Sequence, residues 1–167
     1  RLVPQEPVIF SDDATAKPWC LTVSFTHPHD PYVARKQHWD LYEDCPALEP
    51  EIGFMPYEAQ DPHSQRLYTA SDYPSFDITP EQVARARRGY FASISYIDDR
   101  VGELLAVLER TEMADDTLVL FCSDHGDMLG ERGLWFKMCF FEGSARVPLL
   151  INGRDIPAGL VSAPVSN

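Results

Sequence analysis

Residues 117–127 read Thr-Leu-Val-Leu-Phe-Cys-Ser-Asp-His-Gly-Asp, and this stretch decides the fold class. Its first six residues are apolar or β-branched, a composition typical of a buried strand in a parallel sheet. The run breaks directly into Asp124 and His125, so the sequence predicts a carboxylate and an imidazole at the carboxyl end of a strand. In open α/β sheets, ligands bind at that end. Gly126 follows the pair, and a glycine there lets the backbone turn sharply.

The pair formed by Asp124 and His125 is a candidate metal site. Carboxylate oxygens suit hard cations such as Ca²⁺ or Mg²⁺, and a mixed carboxylate–imidazole pair fits Mn²⁺ or Zn²⁺ equally well. The alternative is a helix N-cap aspartate beside a histidine that only hydrogen-bonds the backbone. The position at a strand end favours the metal. Two ligands do not complete a site, so the others must come from elsewhere.

A second loop with histidines follows another apolar run. Residues 19–25, Trp-Cys-Leu-Thr-Val-Ser-Phe, predict a strand buried on both faces, and the prolines of residues 26–31 stop its pairing. A histidine placed there can donate to an anion or give a proton to a leaving group. We favour His29 over His27, because prolines on both sides fix its backbone direction. The alternative is that both histidines are incidental to a proline-rich loop.

Lys137 lies thirteen residues beyond Asp124, among the large apolar side chains of residues 134–138. A lone lysine in such surroundings usually extends its ammonium to water. Its closeness to the metal-type pair favours instead a contact with an anion, for which a compact ammonium serves as a point charge. We interpret Asp127 and Glu131 as loop-stabilising rather than catalytic.

The remaining pattern predicts an α/β domain with a largely parallel sheet flanked by helices. The clearest helix begins with the capping box at Thr79, Pro80 and Gln82, shows an apolar face at helical spacing, and runs to about Arg110. A short helix is predicted within residues 34–43, an irregular segment over residues 44–77, and a last strand at residues 147–152. Glu142 and Arg146 are predicted to form a structural ion pair.

Composition excludes two classes of partner. The formal net charge of the 167-residue chain is -12, so no basic stripe is available for nucleic acid. No apolar run approaches the roughly 20 residues that cross a bilayer. Arg85, Arg87 and Arg88 are predicted to form a solvated helix face. The four cysteines lack CxxC spacing and are interpreted as buried, reduced thiols of a cytoplasmic protein rather than as disulfides or zinc ligands.

Four segments, taken in order, closely resemble the sulfatase family of the alkaline-phosphatase superfamily. They are the histidine loop at residues 24–32, Ser-Asp-His-Gly-Asp-Met-Leu-Gly-Glu at 123–131, Leu-Trp-Phe-Lys at 134–137, and Phe-Glu-Gly-Ser-Ala-Arg-Val-Pro-Leu at 141–149. Three further segments are similar to the bacterial choline-sulfatase branch of that family. These are Trp-Asp-Leu-Tyr at 39–42, Asp-Pro-His-Ser-Gln-Arg-Leu at 61–67, and Arg-Arg-Gly-Tyr-Phe-Ala at 87–92.

The resemblance implies specific roles. Asp124 and His125 match the second pair of divalent-metal ligands of the family, usually for Ca²⁺, with Mn²⁺ or Mg²⁺ as alternatives. Lys137 and His29 match the catalytic lysine and histidine that hold the sulfate oxygens and assist the leaving group. The nucleophile of the family is a formylglycine made in a Cys/Ser-x-Pro-x-Arg motif. Residues 1–167 contain no such motif, so the formylglycine is expected upstream of this segment.

Residues 1–167 are therefore expected to be the central part of a single sulfatase catalytic domain, inactive alone. The implied reaction is hydrolysis of choline O-sulfate to choline and sulfate, so the expected partner is a small-molecule sulfate ester. Homo-oligomerisation is a further expectation from the resemblance. The alternatives are a phosphonate monoester hydrolase or phosphodiesterase of the same superfamily, and a non-catalytic binding module with the same fold. The aromatic residues Tyr32, Trp39 and Trp135 could hold a quaternary ammonium, but a plain core role is the simpler interpretation of each.

Overall fold

A computed structural model of the chain describes residues 18–72 and 77–159. The described helices and strands follow in this order: α1 (Lys36–Asp40), α2 (Pro62–Ala70), α3 (Pro80–Arg110), β1 (Val119–Cys122), α4 (Glu142–Ala145) and β2 (Leu149–Asn152). Short 3-10 turns lie at Pro46–Leu48, Tyr57–Ala59, Ala114–Asp116 and Glu131–Gly133. Within these residues, no helix is long and apolar enough to span a bilayer.

The long helix α3 begins and ends where the sequence predicts. The Thr79 hydroxyl accepts the backbone N–H of Gln82, and the Gln82 side chain accepts the backbone N–H of Thr79. The expected apolar face is less buried than its pattern suggests, since Ile94 is 43% and Leu104 39% exposed. Small residues on the first half of α3 are buried instead, because neighbouring segments lie directly on its backbone. Gly89, for example, leaves no room for a Cβ beside the carbonyl of Tyr32.

Strands β1 and β2 form the described sheet and pair antiparallel, with Leu120 opposite Ile151 and Cys122 opposite Leu149. The parallel pairing that we expected is not found among the described residues. The segment that joins β1 to β2 contains a 3-10 turn and the short α4 but no crossover helix across the sheet, and the second strand returns in the opposite direction. The described chain combines helices with a sheet, in agreement with the predicted α/β class.

The predicted strand at residues 19–25 is wrong. The described chain has no strand there, and Leu21 is 69% exposed. A strand needs a neighbour to accept its backbone hydrogen bonds, and no described segment pairs with this one. Two other predictions also fail in part. Helix α2 lies inside the segment predicted to be irregular, and only Cys139 of the four unpaired cysteines is buried, while Cys20 and Cys122 are exposed.

The small core lies beneath the loop that follows β1. Its buried members are Tyr68 from α2 and Met128, Leu134 and Cys139 from the loop. The loop folds back on itself, because the backbone N–H of Met128 donates to the carbonyl of Phe136 at 2.7 Å. This packing fixes the course of residues 126–139, and with it the position of Lys137.

Candidate active site

Lys137 and His29 lie together, although 108 positions separate them in the sequence. The Nζ of Lys137 is 2.8 Å from Nε2 of His29. The other ring nitrogen, Nδ1, is 2.9 Å from the backbone carbonyl oxygen of Asp30, which can only accept. Nδ1 therefore carries the proton, and Nε2 accepts from the lysine ammonium. His27 instead packs its ring against Tyr96, with the ring centroids 5.3 Å apart.

The backbone around Lys137 adopts an uncommon conformation. Phe136 and Met138 on either side have φ angles of 66° and 73°, in the left-handed region that non-glycine residues rarely adopt. Such residues cost on the order of 1–3 kcal/mol each and cluster at functional sites. The neighbouring Met138 is 66% exposed. Lys137 is partly buried, while the side chain of His29 is 45% exposed, so the pair is open to a ligand.

Asp124 and His125 lie just beyond the end of β1, as the sequence predicts. Oδ2 of Asp124 is 3.6 Å from Nε2 of His125. Nδ1 of His125 is 2.8 Å from the carbonyl oxygen of Gly126, so Nδ1 carries the proton and the lone pair of Nε2 is available to a metal. Burial raises the pKa of Asp124, but the hydrogen bond from the backbone N–H of His125 and the nearby imidazole outweigh it. The net pKa is lowered, and the carboxyl is held ionised.

This donor set fits a divalent cation. An ionised carboxylate oxygen lies 3.6 Å from an imidazole nitrogen, and the Asp124 side chain is 86% exposed. Within residues 18–72 and 77–159, no third His, Cys, Asp or Glu side chain completes a metal-binding cluster with them. The pair can therefore supply two ligands of a larger site.

Gly126 has a different role from the one its position suggests. Its φ is not in the left-handed region, so a sharp turn is not the reason for a glycine here. The backbone of α4 lies against it instead. The N–H of Gly126 donates to the carbonyl of Ser144 at 2.8 Å, and a Cβ at position 126 would overlap the carbonyl oxygen of Gly143. The glycine allows α4 to lie directly behind the metal-type pair.

Asp127 is a structural residue of the loop, as predicted. Its Oδ1 accepts the backbone N–H groups of Leu129 at 2.9 Å and Phe136 at 3.1 Å. Its Oδ2 accepts the hydroxyl of Tyr32 at 2.7 Å. Burial, and then the charge of Asp127, raise the pKa of Tyr32 far above its ordinary value, so its hydroxyl remains a donor. Burial likewise raises the pKa of Tyr90, which lies edge-on to the Tyr32 ring at 5.8 Å.

Glu131 also has the structural role that we predicted, but its partners differ from those of Asp127. Its carboxylate accepts the backbone N–H groups of Glu51 at 3.0 Å and Ile52 at 2.8 Å, and it pairs with Arg87 at 3.2 Å. The prediction that Arg87 lies on a solvated face is therefore wrong. Arg87 is 7% exposed and also donates to the carbonyl of Leu129 at 3.0 Å. The spacing of charges along a helix cannot reveal a carboxylate that packs against it from a distant loop.

The predicted ion pair between Glu142 and Arg146 forms at 3.4 Å, but both side chains are 83% exposed. An exposed pair of this kind contributes at most about 1 kcal/mol. Sequence reasoning missed a more telling contact, in which Nε2 of His63 is 2.9 Å from the carbonyl oxygen of Met138. This contact ties α2 to the segment that carries Lys137. The only signal for it in the sequence was the N-cap at Asp61 and Pro62, which marks the start of α2.

The three aromatic residues considered for a cation cage have other partners. The guanidinium of Arg88 lies 4.6 Å above the ring of Trp39 and occupies that face with a positive charge. Tyr32 is engaged by Asp127 and Tyr90. Trp135 lies partly buried beside the core. The described residues therefore give these aromatic rings structural roles.

Comparison with known proteins places this arrangement in a class. The chain superposes on the phosphonate monoester hydrolase SpPMH from Silicibacter pomeroyi with a TM-score of 0.65 and 29% identity. The match covers 77% of this chain and 27% of that one. The architecture is that of the alkaline-phosphatase superfamily of hydrolases.

Within that class, the sulfatase family profile matches residues 6–167, and the chain belongs to the sulfatase family. It is 67% identical over 157 residues to a choline-sulfatase of Rhizobium meliloti, a match that covers 94% of this chain and 31% of the relative. It is 34% identical over 137 residues to an arylsulfatase of Clostridium perfringens, with 81% of this chain and 28% of the relative covered. The chain thus spans less than a third of the length of these relatives.

Proposed function

We propose that the full-length protein is a sulfuric ester hydrolase that converts choline O-sulfate to choline and sulfate. The observation that carries the proposal is the 67% identity to a choline-sulfatase over nearly the whole of this chain. The geometry supports it, since Lys137 and His29 meet at 2.8 Å and a metal-type pair lies at the end of β1.

The residues present supply two kinds of assistance. Cleavage of a sulfate ester places negative charge on the sulfuryl oxygens and on the departing alkoxide. The ammonium of Lys137 is a point charge for those oxygens, and it is partly buried, where its field is screened less than in water. His29 lies at hydrogen-bond distance from Lys137 and is exposed enough to reach a leaving group.

A divalent cation, Ca²⁺ by preference, would be held in part by Asp124 and His125. When bound, it supplies Lewis-acid stabilisation of charge on the ester oxygens. The chain contributes an ionised carboxylate and an imidazole whose tautomer is fixed by the carbonyl of Gly126. The nucleophile, a formylglycine, belongs to the part of the protein outside residues 1–167. The unpaired cysteines agree with a reducing compartment, and we place the enzyme in the cytoplasm.

The test is release of sulfate from choline O-sulfate by the full-length protein, compared with hydrolysis of a phosphonate monoester, each with and without a chelator. Preferential, chelator-sensitive sulfate release is the expected result. Faster phosphonate hydrolysis would support the second candidate function, which the similarity to the Silicibacter hydrolase favours. Hydrolysis of neither substrate would contradict both assignments.

Two variants assign the residues. Asp124→Ala should lose bound metal and turnover together, whereas Lys137→Ala should retain the metal and lose at least about a hundredfold in kcat/KM, the effect typical of removing one charge-stabilising donor. Lys36→Ala is the matched control, because Lys36 pairs with Asp40 on an exposed helix face. Full activity of Asp124→Ala, with metal absent by elemental analysis, would overturn the metal role.

A further inference from the structure

We infer that Asp127 is a positioning residue that holds Lys137 against His29, because its carboxylate joins the two loops that carry them. This inference rests on the proposed function, in which both side chains act on the sulfate group. Among the described elements, no strand or helix joins the two loops directly, so side-chain contacts between them contribute to their relative position.

Each oxygen of the Asp127 carboxylate serves a different loop. Oδ2 accepts the hydroxyl of Tyr32 at 2.7 Å, and Tyr32 is three residues after His29. Oδ1 accepts the backbone N–H of Phe136 at 3.1 Å, and Phe136 directly precedes Lys137. The path from His29 to Lys137 through this carboxylate therefore crosses two hydrogen bonds. The side chains of His29 and Lys137 also contact each other directly, at 2.8 Å.

The Tyr32 end of this connection is held by α3. The Tyr32 backbone lies directly on Gly89, where a Cβ would be only 2.5 Å from the Tyr32 carbonyl oxygen. The ring of Tyr90 meets that of Tyr32 edge-on, at 83° between the ring planes. Tyr32 is thus held against α3, and its hydroxyl in turn holds the Asp127 carboxylate in position.

Glu131 shows that a structural carboxylate in the same loop need not have this role. Its partners are the backbone of residues 51 and 52 and the side chain of Arg87, none of which adjoins His29 or Lys137 in the sequence. Several carboxylates of this loop form hydrogen bonds within the described residues. Of these, Asp127 alone has one partner adjacent to Lys137 and another three residues from His29.

The experiment compares Tyr32→Phe with Tyr42→Phe in the full-length protein. Both changes remove one partly buried tyrosine hydroxyl, since Tyr42 hydrogen-bonds Ser95 at 2.7 Å away from the site. Tyr32→Phe should lower kcat by about tenfold to a hundredfold, the scale of a small misplacement of reacting groups. Tyr42→Phe should lower the melting temperature to a similar extent but leave kcat unchanged.

Conservative replacement separates positioning from charge. Asp127→Asn can keep both backbone hydrogen bonds at Oδ1, and its amide can donate to the Tyr32 hydroxyl, so it should retain more activity than Asp127→Ala. Equal kcat for wild type and Tyr32→Phe, or equal loss in Asp127→Asn and Asp127→Ala, would overturn the inference.

A crystal structure of Tyr32→Phe gives a readout that does not depend on turnover. The separation of Lys137 Nζ and His29 Nε2 should increase, and an unchanged separation would contradict the positioning role. If the wild-type protein hydrolyses no sulfate ester, the proposed function fails. The separation then still decides whether Asp127 sets this geometry.

Discussion

At Gly126 the backbone lies so close to Gly143 that no side chain fits between them. The contact packs α4 against the residue that directly follows Asp124 and His125, so it helps to support the metal-type pair. This reason for a glycine depends on a residue seventeen positions away, and it is invisible in the local sequence.

Replacing Gly126 with alanine should destabilise the protein by about 1–3 kcal/mol, the usual cost of forcing atoms into a filled space. The free energy of unfolding in urea measures this effect. Gly102→Ala is the matched control, because Gly102 is exposed on α3 with nothing within 4 Å of a Cβ. That change should stabilise the helix by roughly 0.5–1 kcal/mol. The same sign for both variants would contradict the close approach at Gly126.

Arg87 illustrates a second effect at the scale of the residue. Its guanidinium joins three segments through the carbonyls of Ala47 and Leu129 and the carboxylate of Glu131. Arg87→Ala removes the donor to these three acceptors and breaks the ion pair of the buried guanidinium with Glu131, and it should cost about 3–5 kcal/mol. Exposed Arg85, two positions earlier on α3, is the control, and Arg85→Ala should change stability by no more than about 0.5 kcal/mol. Chemical denaturation of both variants decides whether the two arginines differ.

At the scale of the element, α2 begins at a carboxylate cap. Asp61 accepts the Ser64 hydroxyl at 2.5 Å and the backbone N–H groups of His63 and Ser64. These hydrogen bonds lower the pKa of Asp61, and the one from the Ser64 hydroxyl has the largest effect. Because the folded-state pKa is depressed, the resulting stability is fully present above the ordinary carboxyl pKa of about 3.9 and is lost as pH falls through the lowered value.

The stability difference between wild type and Asp61→Asn should therefore shrink when the pH is lowered from 6 to below about 3. Thr79→Ala tests the same kind of cap on α3 without a titratable side chain. It should cost about 1 kcal/mol at either pH. Unfolding curves at the two pH values distinguish the caps, and a pH-independent effect of Asp61→Asn would contradict the carboxylate role.

At the scale of the whole molecule, much apolar surface is uncovered. Leu118 and Leu150 are each 62% exposed, and Phe140 beside the Lys137 loop is 97% exposed. Large exposed apolar side chains in such number are typical of a surface that is covered by other protein. The described chain spans less than a third of the length of its relatives, in which many more residues are available to cover such surface.

The isolated 167-residue chain should therefore bind a hydrophobic dye such as ANS and associate in solution, whereas the full-length protein should not. Sulfatase activity should be confined to the full-length protein, because the described residues offer two metal-type ligands and residues 1–167 contain no formylglycine motif. Dye fluorescence and analytical ultracentrifugation measure the first expectation. If the isolated chain is monodisperse and binds no dye, the expectation that its apolar surface requires a covering partner is contradicted.

The sequence by itself determined the local features. The capping box at Thr79 and the length of α3 follow from nearby residues, as do the β1 run and the glycine-flanked motifs that resemble sulfatases. These depend on side-chain periodicity and caps, which act within one or two turns of the chain.

Only the tertiary structure decided how these parts meet. It placed Lys137 against His29, buried Arg87, gave Asp127 its connection to Tyr32, and reversed the direction of β2 relative to β1. Each of these is a contact between residues far apart in the sequence, or a choice of strand partner. The free energy of such contacts depends on burial and neighbouring charge, which no local pattern specifies.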